Sequence, residues 1–262
     1  MGPRTGDESA AEALARLYDL DLAEEPGDLE LFRALARRTG SPIIELAVGT
    51  GRVAVALARD GHRVTGVDID PAMLARALAR GAPPDLTLVE ADLVDAATVD
   101  AVADGGPYSL AIIALNSILL LASAERQRAA VATMARLLGP AGLAVIDAWQ
   151  PSAHDLVAFD GRLSLEWLRT DPETGHEVTK TVAAWFDPAT RLVTLTTIFE
   201  EGRPGEPPVR WTRSDALRLV TLDELVSFAE AAGLVVEQVA GDHELGPLEP
   251  GSDRVVLVAH KP

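Results

Sequence analysis

Apolar residues recur at helical spacing in two stretches near the start of the chain, which predicts helices at Ala10–Asp21 and Leu29–Arg38. Short apolar runs then alternate with helical stretches. After the apolar run Pro42–Ile44, the predicted strands are His62–Asp68, Leu86–Glu90, Ser109–Leu115 and Gly142–Trp149. The predicted helices between them are Val53–Arg59, Ala72–Arg80, a short helix after Leu93, and Ala124–Leu138. This alternation is typical of right-handed crossovers in a parallel sheet that is covered on both faces.

The pattern changes at Arg162, where Asp-Pro turns separate runs that are rich in Val, Thr, Trp and Ile. Such runs predict antiparallel strands, here Leu163–Leu168, Val178–Phe186, Leu192–Phe199 and Val209–Val220. A helix that opens at Thr221 and the strands Leu234–Val239 and Val255–Ala259 complete the chain. We therefore predict an α/β fold: a Rossmann-like, mostly parallel seven-stranded sheet with helices on both faces, plus an antiparallel β insertion after strand five.

Composition narrows the classes of partner. The chain has 262 residues, a formal net charge of −17 and no cysteine. A negative field repels phosphate backbones and anionic lipid, so we expect a small-molecule partner, no nucleic acid and no membrane. No Ser/His/Asp order or His-x-x-x-His pair stands out, and we expect no metal. The N-terminus lacks a signal pattern and the most apolar run, Leu110–Ala122, is too short to span a bilayer, so the cytoplasm is the expected location.

A glycine turn between the first strand and the next helix is the main candidate for a binding site. Gly49 and Gly51 let the backbone approach a ligand, and the turn exposes N–H groups at the positive end of a helix. Gly49-x-Gly51-x-x-Ala54, with Asp68 after the next strand, also fits the dinucleotide fingerprint of NAD(P)-dependent reductases. The turn alone therefore leaves the identity of the cofactor open.

Three further features favour S-adenosylmethionine. Glu45 precedes the glycines, Asp68 is followed by Ile69-Asp70-Pro71-Ala72-Met73-Leu74, and Asp92 ends the third strand. From about Ser41 to Gly142 the sequence thus resembles the class I S-adenosylmethionine-dependent methyltransferases. Ala47 departs from that pattern, because the family usually has a glycine there, and we expect only a slight shift in the turn.

The resemblance implies a role for each matching residue. Gly49 and Gly51 would flank the methionine moiety, and Asp68 would accept hydrogen bonds from both ribose hydroxyls. Ile69 and Met73 would pack on adenine, while Asp92 would accept from the adenine amino group and the Leu93 backbone would donate. The other candidates for cofactor binding are Tyr18, Glu45, Ala47, Arg52, Leu115 and Asn116. Several of these have structural alternatives, such as an ion pair for Glu45, a turn role for Asn116 and an ordinary buried position for Tyr18.

The layout after strand five is similar to glycine/sarcosine N-methyltransferases and antibiotic-sugar N,N-dimethyltransferases. That similarity implies three parts: N-terminal helices that close the site (1–40), a cofactor-binding domain (41–161 and 221–262), and an insertion that roofs the acceptor pocket (162–220). A dimerisation sheet is the alternative role for the insertion. Candidates for acceptor binding are Trp149, His154, Trp211 and His243, and candidates for proton transfer are Tyr18, His154 and His243. Each of them has a structural alternative in the core or at the surface.

The function that we predict is methyl transfer from S-adenosylmethionine to nitrogen or oxygen of a small molecule, such as a natural-product intermediate, with S-adenosylhomocysteine as product. Methyl transfer from an activated sulfonium depends chiefly on alignment and exclusion of water, so a general base is optional. Two alternatives stay open at this point. One is an NAD(P)-dependent reductase, and the other is a protein that binds S-adenosylmethionine without transferring methyl. A homodimer is a further expectation.

Overall fold

The computed structural model describes residues 8–24 and 26–262 and contains two β-sheets with eight α-helices in those residues. The strands are β1 Ile43–Leu46, β2 Val64–Asp68, β3 Leu86–Glu90, β4 Tyr108–Ile113, β5 Leu138–Trp149, β6 Asp160–Thr170, β7 Glu177–Asp187, β8 Leu192–Gly202, β9 Val209–Arg218, β10 Val235–Ala240 and β11 Arg254–His260. The helices are α1 Ala10–Asp21, α2 Leu29–Thr39, α3 Arg52–Arg59, α4 Pro71–Ala79, α5 Ala96–Val102, α6 Ala124–Leu137, α7 Ala153–Ala158 and α8 Leu222–Ala231. Residues 1–7 and Glu25 lie outside the described residues. They belong to the predicted N-terminal segment 1–40, and the expectation about a signal pattern at the N-terminus falls on them.

The larger sheet has seven strands in the order β10-β11-β5-β4-β1-β2-β3. Strand β11 runs antiparallel to both of its neighbours, and the other pairs are parallel. Ile43 and Ile44 are both fully buried but belong to different apolar clusters, one with helices α2 and α3 and the other with α6 and α8. Because successive side chains of a strand point to opposite faces, both faces of the sheet are covered, as predicted.

The second sheet is antiparallel with the order β6-β7-β8-β9, and all four strands correspond to the predicted runs. Strand β6 begins at Asp160, three residues before the predicted start of the strand at Leu163 and two before the predicted start of the insertion at 162. One face of this sheet receives α1, because Leu17 and Leu20 of that helix are buried against Val178 and Phe199. The N-terminal helix and the insertion therefore share an apolar interface.

Several predicted strand limits differ from the structure, and two of them have a clear cause in the backbone. Strand β5 begins at Leu138, not at Gly142, because the chain continues through Gly139–Ala141 as an irregular stretch of strand with Ala141 at a φ of 58°. Strand β4 ends at Ile113, not at Leu115, because Leu115 and Asn116 have φ values of 46° and 67° and turn the chain into a short 3₁₀ helix at Ser117–Leu121.

The helices offer no candidate for a membrane span. Across residues 8–24 and 26–262, none of them is both long and apolar enough to cross a bilayer.

Candidate cofactor and acceptor site

A cavity of about 650 Å³ opens where the carboxyl ends of β1, β2 and β3 meet helix α1 and strand β9. Ligands of open α/β sheets bind at such carboxyl ends. Eight of the residues predicted from the sequence border this cavity: Tyr18, Ala47, Gly49, Asp68, Ile69, Met73, Asp92 and Leu93. The structure thus brings together residues that are far apart in the sequence.

The turn after β1 has a left-handed backbone at three positions, with φ values of 61° at Ala47, 54° at Gly49 and 77° at Gly51. A Cβ at Gly49 would meet nothing within 4 Å, so glycine leaves open space beside the cavity. A Cβ at Gly51 would lie 2.9 Å from the Cβ of Ala77, so that glycine serves the packing of α3 on α4. Ala47 accepts the strained conformation that the usual glycine would adopt freely.

Asp68 joins the ends of the first two strands. Its Oδ2 accepts from the Gly49 N–H at 2.7 Å, and its Oδ1 accepts from the Asp70 N–H at 3.0 Å. Burial raises the pKa of Asp68, and the backbone N–H groups of Asp70 and Gly49 oppose that shift. A carboxylate offers about four lone-pair sites, so each oxygen keeps capacity for a further donor such as a ribose hydroxyl.

Apolar side chains border the cavity beside Asp68. Met73 is 7% exposed and Leu93 9%, whereas Ile69 is 64% exposed although it is large and apolar. An exposed isoleucine next to buried methionine and leucine offers contact area for a flat apolar ring, which is consistent with the predicted adenine position.

Asp92 has a partner that was not predicted. Arg126 of α6 also borders the cavity and lies 3.0 Å from the Asp92 carboxylate, whose Oδ1 accepts from the Val94 N–H at 3.1 Å. The pair is partly exposed, so water screens it and it stabilises the fold weakly. The carboxylate is therefore held at the edge of the cavity without being sealed from it.

Tyr18 projects from α1 and borders the same cavity. Burial raises the pKa of its phenol to about 12, and the positive charges of Arg52 and Arg213 oppose the shift. The hydroxyl stays protonated at neutral pH and can donate a hydrogen bond. A role as a general base at neutral pH is therefore disfavoured.

Glu45 and Arg52 lie beside the turn and do not border this cavity. Glu45 is buried, one of its carboxyl oxygens has no hydrogen-bond partner among the described residues, and burial raises its pKa to about 8. Arg52 makes a bidentate ion pair with the buried Asp28, with both nitrogen–oxygen distances at 2.6 Å, and borders a neighbouring cavity. The structure thus gives Arg52 the role of an ion-pair partner.

Four further candidates surround Asp147, a buried residue of β5 that was not predicted. Its carboxylate accepts from the Leu115 N–H at 3.3 Å and lies 3.3 Å from Nε2 of His243 and 2.7 Å from Nε of Arg254. Asn116 Oδ1 accepts from the Trp149 N–H at 2.7 Å. This network fixes the turn after β4, and Leu115, Asn116, Trp149 and His243 do not border the cavity.

Trp211 and His154 also lie outside the cavity. Trp211 packs in the interface of α1 with the second sheet, and its Nε1 donates to Glu201 at 2.8 Å. His154 is exposed on α7. The acceptor-binding residues proposed from the sequence are therefore not gathered at the cavity.

Several residues that border the cavity were not predicted from the sequence. They include Ser117 and Leu120 of the 3₁₀ helix, Arg126 of α6, and Arg213, Ser214 and Asp215 of β9. Trp211, Arg213 and Asp215 alternate along β9 and share one face of the sheet. The alternation was a usable signal, but it does not tell which of these positions lies above the glycine turn.

Comparison with known proteins agrees with this geometry. The profile of a family described as "Methyltransferase domain" matches residues 43–142, which contain the glycine turn, Asp68 and Asp92. The protein is an S-adenosylmethionine-dependent methyltransferase. The match covers the strand ends that form the floor of the cavity, while α1 and β9 lie outside it.

Two curated relatives and a solved structure are similar to this methyltransferase over most of the chain, beyond the matched domain. The dTDP-3-amino-3,4,6-trideoxy-alpha-D-glucopyranose N,N-dimethyltransferase of Streptomyces venezuelae is 28% identical over 87% of this chain and 92% of the relative. A cypemycin N-terminal methyltransferase of Streptomyces sp. is 26% identical over 99% of this chain and 98% of the relative. The crystal structure of an S-adenosylmethionine-dependent methyltransferase from Clostridium acetobutylicum ATCC 824 has the same fold, with a TM-score of 0.76 and 15% identity over 97% of this chain and 99% of that one.

The residues at the cavity fit S-adenosylmethionine. Gly49 leaves space where any side chain would project, Asp68 keeps acceptor capacity, and Ile69 presents apolar surface. S-adenosylmethionine, when bound, supplies a methyl group on a positively charged sulfur. Methyl transfer therefore requires the chain to bind the nucleoside, align an acceptor and exclude water.

Proposed function

We propose that this methyltransferase acts on an amine nitrogen of a small molecule, with an amino sugar as the first acceptor class to test. The observation that carries the proposal is the composition of the cavity, whose floor is formed by Gly49, Asp68 and Asp92 and whose roof is formed by α1 and β9. Nitrogen is favoured over oxygen because one relative is named as the N,N-dimethyltransferase of an amino sugar and the other as a cypemycin N-terminal methyltransferase.

Within this proposal, Gly49, Asp68, Ile69, Met73, Asp92 and Leu93 hold the cofactor. Asp68 accepts hydrogen bonds from the ribose, and the apolar side chains contact adenine. Tyr18 of α1 keeps its phenol proton and donates a hydrogen bond to the ligand in the cavity. A neutral amine needs no residue to remove a proton before it attacks, so the chain contributes mainly alignment and exclusion of water.

The insertion acts in this proposal as the roof over the acceptor. Arg16 of α1 is 2.9 Å from Glu201 and also pairs with Asp171, and the three side chains are nearly fully buried. Trp167 Nε1 donates to Asp21 Oδ1 at 2.9 Å, and Lys180 lies 2.6 Å from Asp21 Oδ2. These contacts support a unit in which α1 and the second sheet cover the cavity together.

A homodimer and a cytoplasmic location complete the proposal. Leu163, Leu165 and Trp185 are 63%, 64% and 54% exposed on the face of the second sheet opposite α1. Apolar side chains grouped on one exposed face favour association. Sedimentation of the wild type beside Leu165→Glu tests it: a dimer that becomes monomeric supports this interface, and a wild-type monomer removes it.

The proposed activity is tested first by ligand discrimination and then by product. We expect S-adenosylhomocysteine to raise the melting temperature, because a ligand that binds the folded state stabilises it. NAD(H) and NADP(H) should leave the melting temperature unchanged, because they should not bind. Cell extracts are then incubated with the protein and a trideuteromethyl-labelled cofactor and searched by mass spectrometry for labelled amines. Binding without any labelled product would favour a protein that holds S-adenosylmethionine without transferring methyl.

A further inference from the structure

The charged side chains at the cavity fall into two groups. Asp68, Asp70 and Asp92 lie on the floor within residues 43–142, and each already has a local partner: Asp68 the Gly49 and Asp70 N–H groups, Asp70 the Ala72 N–H, and Asp92 the side chain of Arg126. Arg213 and Asp215 lie on the roof, in β9. The roof pair is therefore the charged group that faces the acceptor side of the cavity.

Asp215 is held in a fixed orientation and keeps spare capacity to accept hydrogen bonds. Nε of Arg213 donates to Oδ1 at 2.9 Å and lies 2.7 Å from Oδ2, so the guanidinium contacts both carboxylate oxygens. In the part of the chain that the structure describes, the hydrogen bonds to this carboxylate come from Arg213 alone. The side chain of Asp215 is 19% exposed, and Asp215 borders the cavity.

A carboxylate at this position suits an amine. Amine N–H groups donate to carboxylates in charge-assisted hydrogen bonds, which are stronger than those between neutral groups. The net charge of −17 also favours the approach of a cation over that of an anion. An alcohol acceptor would gain much less from the same carboxylate, because its attack produces no lasting ammonium charge.

We propose that Asp215 is the acceptor-binding residue that holds the N–H of an amine and so selects nitrogen over oxygen; this inference rests on the proposed function. The amine lone pair forms the new N–C bond to the methyl carbon while the C–S bond breaks and its electron pair passes to sulfur. The nitrogen becomes a methylated ammonium that keeps its proton until it leaves for water. Asp215 accepts an N–H throughout and stabilises the positive charge that develops on nitrogen.

Sinefungin tests this role without an identified acceptor. In this cofactor analogue a carbon that bears an amino group replaces the methylated sulfur, so its ammonium lies where the methyl group would lie. Calorimetry should compare sinefungin with S-adenosylhomocysteine in the wild type and in Asp215→Asn. We expect the substitution to weaken sinefungin by about tenfold or more and S-adenosylhomocysteine by less than about twofold.

The chain offers a matched control in the same sheet. Asp160 pairs with Arg162 at 3.1 Å, also through Nε, on the exposed strand β6. Asp160→Asn removes the same charge from the sheet and should leave both affinities within about twofold. Asp215→Glu keeps the charge and should retain the preference for sinefungin.

The outcomes separate this inference from the proposed function. A selective loss of sinefungin affinity in Asp215→Asn, absent in Asp160→Asn, supports the role of Asp215. An equal effect on both ligands, or no effect, overturns it while leaving methyl transfer intact. A wild type that binds neither ligand contradicts the cofactor site itself, and the inference fails with it.

Discussion

The backbone N–H of Gly49 donates to Oδ2 of Asp68 at 2.7 Å, which ties the turn after β1 to the end of β2. Glycine at position 49 leaves open space beside the cavity, while the carboxylate fixes the path of the turn. One side chain thus both shapes the glycine turn and presents its remaining lone pairs to the cavity. The two motifs recognised separately in the sequence form a single structural unit.

Asp68→Ala should weaken S-adenosylhomocysteine by about 1.5–3 kcal/mol, the range for hydrogen bonds to a charged group. It should also lower the free energy of unfolding by about 1 kcal/mol, because Gly49 and Asp70 lose their acceptor. Calorimetric titration and urea unfolding measure the two effects. An affinity that changes less than about twofold would show that the ribose lies elsewhere.

Asp92→Ala should reduce the affinity for S-adenosylhomocysteine less than Asp68→Ala does, because it removes one predicted contact and leaves the apolar walls. Arg126→Ala is its matched control, since it removes the other half of the ion pair. We expect Arg126→Ala to change the affinity by no more than about 1 kcal/mol, as for exposed pairs. A larger loss for Asp92→Ala than for Asp68→Ala would reverse the assignment of ribose and adenine.

The floor of the site was predictable because its residues follow strand ends in a local pattern. Gly49, Asp68 and Asp92 each stand at the end of a recognisable apolar run, and the parallel sheet brings those ends together. The same logic gave the seven strands and the antiparallel insertion. These features depend on periodicity and on turns within a few residues.

The insertion was expected to form a roof, but the roof residues that border the cavity were not predictable, because their placement depends on how the second sheet packs against α1 and the first sheet. The sequence shows that Trp211 and Asp215 share a face, but only the packing of α1 places Asp215 at the cavity and Trp211 beyond it. Asp147 was missed for a related reason, since an acidic residue inside an apolar strand gives no sign of its distant partners His243 and Arg254.

Stability should depend on pH through Glu45. Burial and the neighbouring carboxylates of Asp28 and Asp68, partly offset by Arg52, raise its folded-state pKa from 4.5 to about 8. A raised pKa means that the stability contribution is fully present below pH 4.5 and is lost as pH rises toward 8. Glu45→Gln should therefore gain stability relative to the wild type between pH 5 and pH 8, by on the order of a few kcal/mol. Urea unfolding at about pH 5 and about pH 8 measures the difference in the free energy of unfolding between Glu45→Gln and the wild type. A difference that does not change with pH would contradict a buried, protonated carboxyl at Glu45.

Arg16→Ala should lower the free energy of unfolding by about 3–5 kcal/mol, because it leaves the buried carboxylates of Asp171 and Glu201 without their cation. Arg38→Ala is the matched control, since Arg38 pairs with Glu237 on the surface, and it should cost no more than about 1 kcal/mol. Equal losses in the two variants would mean that the network does not hold α1 to the second sheet.

We propose that methyl is transferred to an amine in the cavity between the glycine turn and β9. The most direct measurement incubates the protein with trideuteromethyl-labelled S-adenosylmethionine and the amino sugar named for the Streptomyces venezuelae relative, dTDP-3-amino-3,4,6-trideoxy-alpha-D-glucopyranose. Mass spectrometry then locates the label. We expect label on the amino nitrogen with the wild type and a loss of about tenfold or more in kcat/KM with Asp68→Ala, the loss that corresponds to its hydrogen bonds. Label on oxygen, or full transfer by Asp68→Ala, would contradict this proposal.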